Sequence, residues 1–79
     1  MIINTTRSAI KLSIDGREIT INGEAFLPGY GSPDFVVYSN DIKNWDDTPN
    51  SLLSEQEKEL VINTLLADAK EKKINIEIE

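Results

Sequence analysis

The stretch Ala9-Ile-Lys-Leu-Ser-Ile-Asp-Gly-Arg-Glu-Ile-Thr-Ile-Asn-Gly-Glu24 decides the fold. Asp15-Gly16 suits a two-residue type I′ turn, whose two central residues both need positive φ. With that turn, Ile14 faces Arg17, Leu12 faces Ile19 and Ile10 faces Ile21. One face of the hairpin is then apolar, and Lys11, Ser13, Glu18 and Thr20 lie on the other. Turn chemistry and alternation agree on one register, and a slip by one residue would turn every isoleucine outward.

Working outward, Ile2 to Thr5 reads as a short strand, and Ala25-Phe-Leu as a continuation of the sheet past a bend at Gly23. Pro28-Gly-Tyr-Gly-Ser-Pro33 is a breaker cluster and reads as a loop. Phe35-Val-Val-Tyr38 is β-branched and aromatic, hence a strand. Ser39 to Ser51 is polar and irregular, with room for one short helical turn. Ser54-Glu-Gln-Glu57 then marks a helix start as a capping box. Glu55, Glu57 and Glu59 lie at the positive end of that helix, and Lys70, Lys72 and Lys73 at its negative end. Val61, Ile62, Leu65, Leu66 and Ala69 form its apolar stripe. Leu60 projects to the opposite side, where the irregular segment is expected to cover it, the alternative being an exposed contact. Ile74-Asn-Ile-Glu-Ile-Glu79 alternates strictly, a final strand with its isoleucines inward.

The expected fold is α+β: a small antiparallel sheet, one helix near Ser54 to Lys72 packed on its apolar face, and a C-terminal strand. Ile10, Leu12, Ile19, Ile21, Val61, Leu65 and Ile76 are the expected core. The 79 residues make a single domain, 1–79. A chain of this length buries only about 60 % of its unfolded surface, which leaves no room for a deep cleft between subdomains.

Composition narrows the function. The net charge is −6, from 14 acids against 8 bases. That disfavours nucleic acid and anionic membrane as partners and permits a basic protein. There is no cysteine, which points to a reducing compartment and a cytoplasmic location. The start reads as a strand and not a signal peptide. Histidine is absent as well, so the commonest general base, the commonest metal ligand and the best nucleophile are all missing. No catalytic, cofactor-binding or metal residue is assigned, and the chain is not expected to be an enzyme. Asp46-Asp47 are neighbours, and adjacent carboxylates rarely converge on one point. Asn44, Asp46, Thr48, Asn50 and Glu55 echo a calcium loop, but Pro49 stands where that loop needs glycine. Gly29-Tyr-Gly31 precedes a strand and lacks a lysine, so it makes a poor phosphate loop.

Protein binding is better supported. Tyr30, Phe35, Tyr38 and Trp45 lie among Asp34, Asp41, Asp46 and Asp47, and aromatics set among acids suit a grip on a basic surface. Phe35 reads first as plain core. Trp45 is either an interface anchor or a lid on the helix–sheet core, and Glu24 either a contact or a turn acid. The partner-binding set is Glu24, Asp34, Tyr38, Asp41, Trp45, Asp46 and Asp47, with Glu18, Glu77 and Glu79 as the next candidates.

Ile14-Asp-Gly-Arg17, Gly23-Glu24, Phe35-Val-Val-Tyr38, Asp41-Ile42, Trp45 and Leu53-Ser-Glu-Gln-Glu57, taken in that order, resemble the immunity protein 74 family. The likeness runs from about Ile10 to Glu79. These are small bacterial proteins of polymorphic-toxin and contact-dependent growth inhibition loci. The resemblance implies a cytoplasmic protein that binds and neutralises a cognate toxin domain. Acidic steering suits a basic toxin such as a nuclease. The alternative is an acidic interaction or regulatory module with no toxin partner. An acidic mimic of nucleic acid would need a regular array of carboxylates, which the scattered acids here do not make.

Overall fold

A computed structural model of the chain describes residues 1–26 and 33–79. Of the loop expected at Pro28 to Pro33, residues 28–32, Tyr30 among them, lie outside the described residues, as does Leu27. Among the described residues, five strands form one sheet in the order β1-β2-β3-β4-β5. They are β1 (Ile2–Thr5), β2 (Ala9–Ile14), β3 (Arg17–Ala25), β4 (Phe35–Val37) and β5 (Ile76–Ile78), with one helix, α1 (Glu55–Glu71), before β5.

The hairpin has the register read from its turn. Ile10 pairs with Ile21, Leu12 with Ile19 and Ile14 with Arg17, and Asp15 and Gly16 have φ of 50° and 82°. The alternation is visible in burial: Ile10, Leu12, Ile14, Ile19 and Ile21 are buried, while Glu18, Thr20, Asn22 and Glu24 are exposed. β3 runs straight on through Gly23 to Ala25, and the Phe26 amide donates to the Asp34 carbonyl at 3.0 Å. Gly23 is needed for space. A Cβ there would overlap the Val36 carbonyl and the Phe35 ring, where β4 lies against β3. Gly23→Ala should therefore cost at least the upper end of the roughly 1–3 kcal/mol typical of overpacking, because a paired backbone carbonyl cannot step aside. A urea midpoint within error of wild type would show that β4 can shift.

The sheet is mixed. β1 to β4 are antiparallel neighbours, but β5 lies parallel to β4, with Phe35 opposite Ile76 and Val37 opposite Ile78. Parallel neighbours need a long crossover. The irregular segment and α1 supply it, and in doing so they carry the helix onto the apolar face of the sheet.

α1 starts as its capping box requires. The Ser54 hydroxyl accepts from the Glu57 amide at 3.1 Å, and the Ser54 amide donates to Glu57 Oε1 at 3.1 Å. Such caps are worth about 0.5–2 kcal/mol. The helix ends in a Schellman motif: the Lys73 amide donates to the Lys70 carbonyl and the Ile74 amide to the Ala69 carbonyl. Lys73 takes the left-handed position, φ 60°, that glycine usually fills.

The core is built from Ile10, Leu12, Ile19, Ile21, Phe35, Val37, Ile42, Trp45, Val61 and Leu65. Three expectations need correction. The helix buries only Val61, Leu65 and Ala69, a seam at four-residue spacing, whereas Ile62 is half-buried and Leu66 is 38 % exposed. Leu60 is 47 % exposed, so the irregular segment does not cover it. Ile76 and Ile78 are only half-buried because β5 is an edge strand, and Ile74 belongs to the helix cap and not to the strand.

Candidate partner-binding site

β4 pairs with β3 only at Gly23 to Ala25, so the first half of β3 would present bare backbone on that side. The irregular segment fills the gap. Tyr38 leads into a 3₁₀ turn, Ser39–Asp41, and the chain then returns along β3. The Asp46 amide donates to the Glu18 carbonyl at 2.9 Å. Asp46 Oδ1 accepts from the Thr20 amide and Oδ2 from the Thr20 hydroxyl, each at 2.9 Å. Lys11 Nζ stands 3.7 Å from the same carboxylate. Asp46 therefore does the work of a short strand and is committed to the fold.

Trp45, one residue earlier, is only 6 % exposed. Its indole Nε1 donates to Glu57 Oε2 at 3.0 Å, while the other oxygen of that carboxylate holds the helix cap. The Arg17 guanidinium covers the ring at 4.5 Å from its centroid. The same guanidinium donates to Asp47 Oδ1 at 3.0 Å and to the Thr48 hydroxyl at 3.1 Å. Trp45 thus closes the end of the core as a lid, and Arg17 and Glu57 hold it down. Arg17 is a member of this site that its sequence position does not announce; the one local sign is a cation directly after the Asp-Gly turn, opposite Ile14 on the apolar face of the hairpin.

A second group gathers on the face of the sheet opposite α1. Strand alternation puts Glu18, Thr20, Asn22 and Glu24 on that open face of β3, with Val36 and Glu77 continuing the row from Glu24 across β4 and β5. The Tyr38 hydroxyl donates to Glu24 Oε2 at 3.3 Å. Desolvation pushes the phenol pKa up, and the carboxylates of Glu24, Glu79 and Asp41 push it the same way. Asp41, Trp45 and Asp46 also line a hollow of about 390 Å³, together with Thr20, Asn22 and Lys43. Asp34 is elsewhere engaged: its Oδ2 accepts from the Asn75 amide at 2.9 Å, where β4 and β5 begin. Of the seven candidates, Glu24, Tyr38, Asp41 and Asp47 present polar atoms on the surface, Asp46 and Asp34 clasp backbone, and Trp45 is beneath.

Two carboxylates are held below their ordinary pKa. Glu57 is lowered first by the Trp45 indole and then by the Ser54 amide; Asp68 is lowered first by Lys72 and then by the Ile2 amide. A folded-state pKa below the unfolded value adds stability that is fully present above the unfolded pKa and is lost as pH falls through the folded one. The urea midpoint should accordingly drop as pH falls below about 5. Glu57→Gln should flatten that drop, and an unchanged pH profile in this variant would place the acid sensitivity elsewhere.

Among the described residues, no group of three His, Cys, Asp or Glu is placed to hold a metal ion, and no helix is long and apolar enough to cross a membrane. The geometry defines a small α+β domain with one face under a helix and an open face rich in carboxylates. The chain belongs to the Immunity protein 74 family, whose model matches residues 2–79. No curated protein and no solved structure matches it.

Proposed function

We propose that this immunity protein neutralises a cognate bacterial toxin domain by binding it one to one in the cytoplasm, within a polymorphic-toxin or contact-dependent growth inhibition locus. The family match over residues 2–79 carries the reading. The toxin is a basic domain, with a nuclease the best fit to a net charge of −6. It meets the open face and its rim: Glu24, Tyr38, Asp41 and Asp47, with Glu18, Glu77 and Glu79 alongside. Asp34, Trp45 and Asp46 support that surface by fixing the backbone beneath it. Inhibition by binding needs no catalytic side chain. It needs a rigid acidic surface that meets its target quickly, because a toxin does harm until it is caught.

Expressing the toxin domain with and without this chain tests the reading. Survival only in the presence of the chain is the expected result, and equal killing in both cultures sinks it for that pair. The steering surface has its own test. Glu24→Gln with Asp41→Asn leaves the Asp46 clasp intact, and this double variant should associate about 3–10-fold more slowly at low salt. The difference should close as salt rises, with dissociation little changed. Identical association across the salt series would move the steering surface off this face.

A further inference from the structure

Among the described residues, the sheet has three stretches of backbone edge that another strand could join, and on two of them other groups already occupy edge positions. On the outer side of β1, the Ile2 amide donates to Asp68 Oδ2 at 2.8 Å and Lys72 Nζ donates to the Ile2 carbonyl at 3.3 Å. Along the first half of β3, Asp46 takes both the Glu18 carbonyl and the Thr20 amide. Side chains that occupy edge groups in this way block unwanted strand pairing.

The third edge, β5, is different. Phe35 donates to the Asn75 carbonyl at 3.2 Å, Glu79 to the Val37 carbonyl at 2.8 Å and Ser39 to the Glu79 carbonyl at 2.8 Å. In this parallel ladder, residues 75, 77 and 79 turn their backbone toward β4. The N–H and C=O groups of Ile76 and Ile78 therefore point away from the sheet. Among the described residues, no strand, cap or side chain pairs with them. The side chains along this edge are divided as well. Ile76 and Ile78 lie half-buried on the helix side, and Glu77 is exposed on the open face. Beyond Ile78 lies a hollow of about 460 Å³, lined by Ile62 and Ile78 with Glu55, Lys58 and Glu59.

We propose that β5 is the docking edge for an extended segment of the toxin, which adds a sixth strand to the sheet. The proposal rests on the inhibitory reading above and deepens it. Strand addition draws affinity from main-chain hydrogen bonds and specificity from alternate side chains. The incoming segment alternates apolar residues, set beside Ile76, Ile78 and Ile62, with Lys or Arg set beside Glu77 and Glu79. Charge selects this occupant over a second copy of the chain, which would bring its own Glu77 and Glu79 against these acids. The new strand would also run on from the acidic open face, so steering and docking share one continuous surface.

The test is residue-resolved amide exchange on the full chain, alone and in complex with the toxin domain encoded by the adjacent reading frame. In the free chain, Ile76 and Ile78 should exchange quickly, and Glu79, which donates to Val37, more slowly. In the complex, the Ile76 and Ile78 amides should slow by about a hundredfold or more. Ile78→Pro removes one outward N–H and no bond to β4, so it should weaken binding at least about tenfold while the fold persists. Should that variant fail to fold, exchange on the wild-type chain still decides. A complex that forms with Ile76 and Ile78 exchanging as before overturns the docking edge and leaves inhibition standing. Absence of any complex with the wild-type chain overturns the inhibitory reading itself. Protection in the free chain that grows with its concentration assigns the edge to a second copy and overturns the proposal.

Discussion

Trp45→Ala should lower the stability of this domain by about 3–5 kcal/mol, a large share of the total for a small protein. The indole is 6 % exposed and belongs to the main core cluster, so truncation opens a cavity at the end of the helix–sheet interface. It also strands its two holders. Glu57 loses the Nε1 donor at 3.0 Å, and Arg17 loses the ring on which it rests. The Asp46 clasp on β3 lies one residue away and should loosen with it. Trp45 is the chain's single tryptophan, so the transition has to be followed by far-UV circular dichroism instead of intrinsic fluorescence. Below the midpoint, the variant's dissociation rate from the toxin should stay near wild type, because the indole lies under the surface. A stability loss under 1 kcal/mol, on the order of a surface change, joined to a faster off-rate would make Trp45 an anchor and not a lid.

Leu65→Ala should cost about 2–5 kcal/mol. Leu65 is completely buried at the middle of the helix seam, between Val61 and Ala69. The neighbouring Leu66→Ala serves as the control. Its side chain is 38 % exposed and should change stability by less than about 1 kcal/mol. Paired urea titrations decide the matter, and equal losses would mean that the helix sits rotated from the orientation described.

The elements that were legible in the sequence are those whose cause is local. Asp15-Gly16 and the flanking alternation specify the hairpin register within a few residues, and Ser54 with Glu57 specifies the helix start within four. The parallel placement of β5 was not legible. Ile-Asn-Ile-Glu-Ile reads identically whether its neighbour runs parallel or antiparallel, and whether the strand is central or at an edge. That same ambiguity placed Ile76 in the buried core. For the candidate site the difficulty was chemical. An aspartate in a polar loop looks the same in sequence whether water or a backbone amide satisfies it, so nothing marked Asp46 as the partner of Thr20 or Asp34 as the partner of Asn75. Trp45 had two readings from its position among acids, and only its neighbours in space, Arg17 above and Glu57 beside, distinguish them.

The parallel pairing of β4 with β5 has a consequence for the order in which the molecule assembles. The β2–β3 hairpin closes across two turn residues, and such hairpins form in roughly microseconds. Joining β4 to β5 requires the chain from Val37 to Ile76 to be gathered in, and that loop-closure entropy must be met before the contacts reward it. β5 should therefore be the last strand to dock as the chain folds and the first to open in a partial unfolding event. A ribosome-bound chain cannot complete the sheet until residues 76–78 have emerged, so a nascent chain holds the β2–β3 hairpin and the helix before it gains this edge. Substitutions confined to β5 should then speed unfolding while leaving the folding rate nearly untouched.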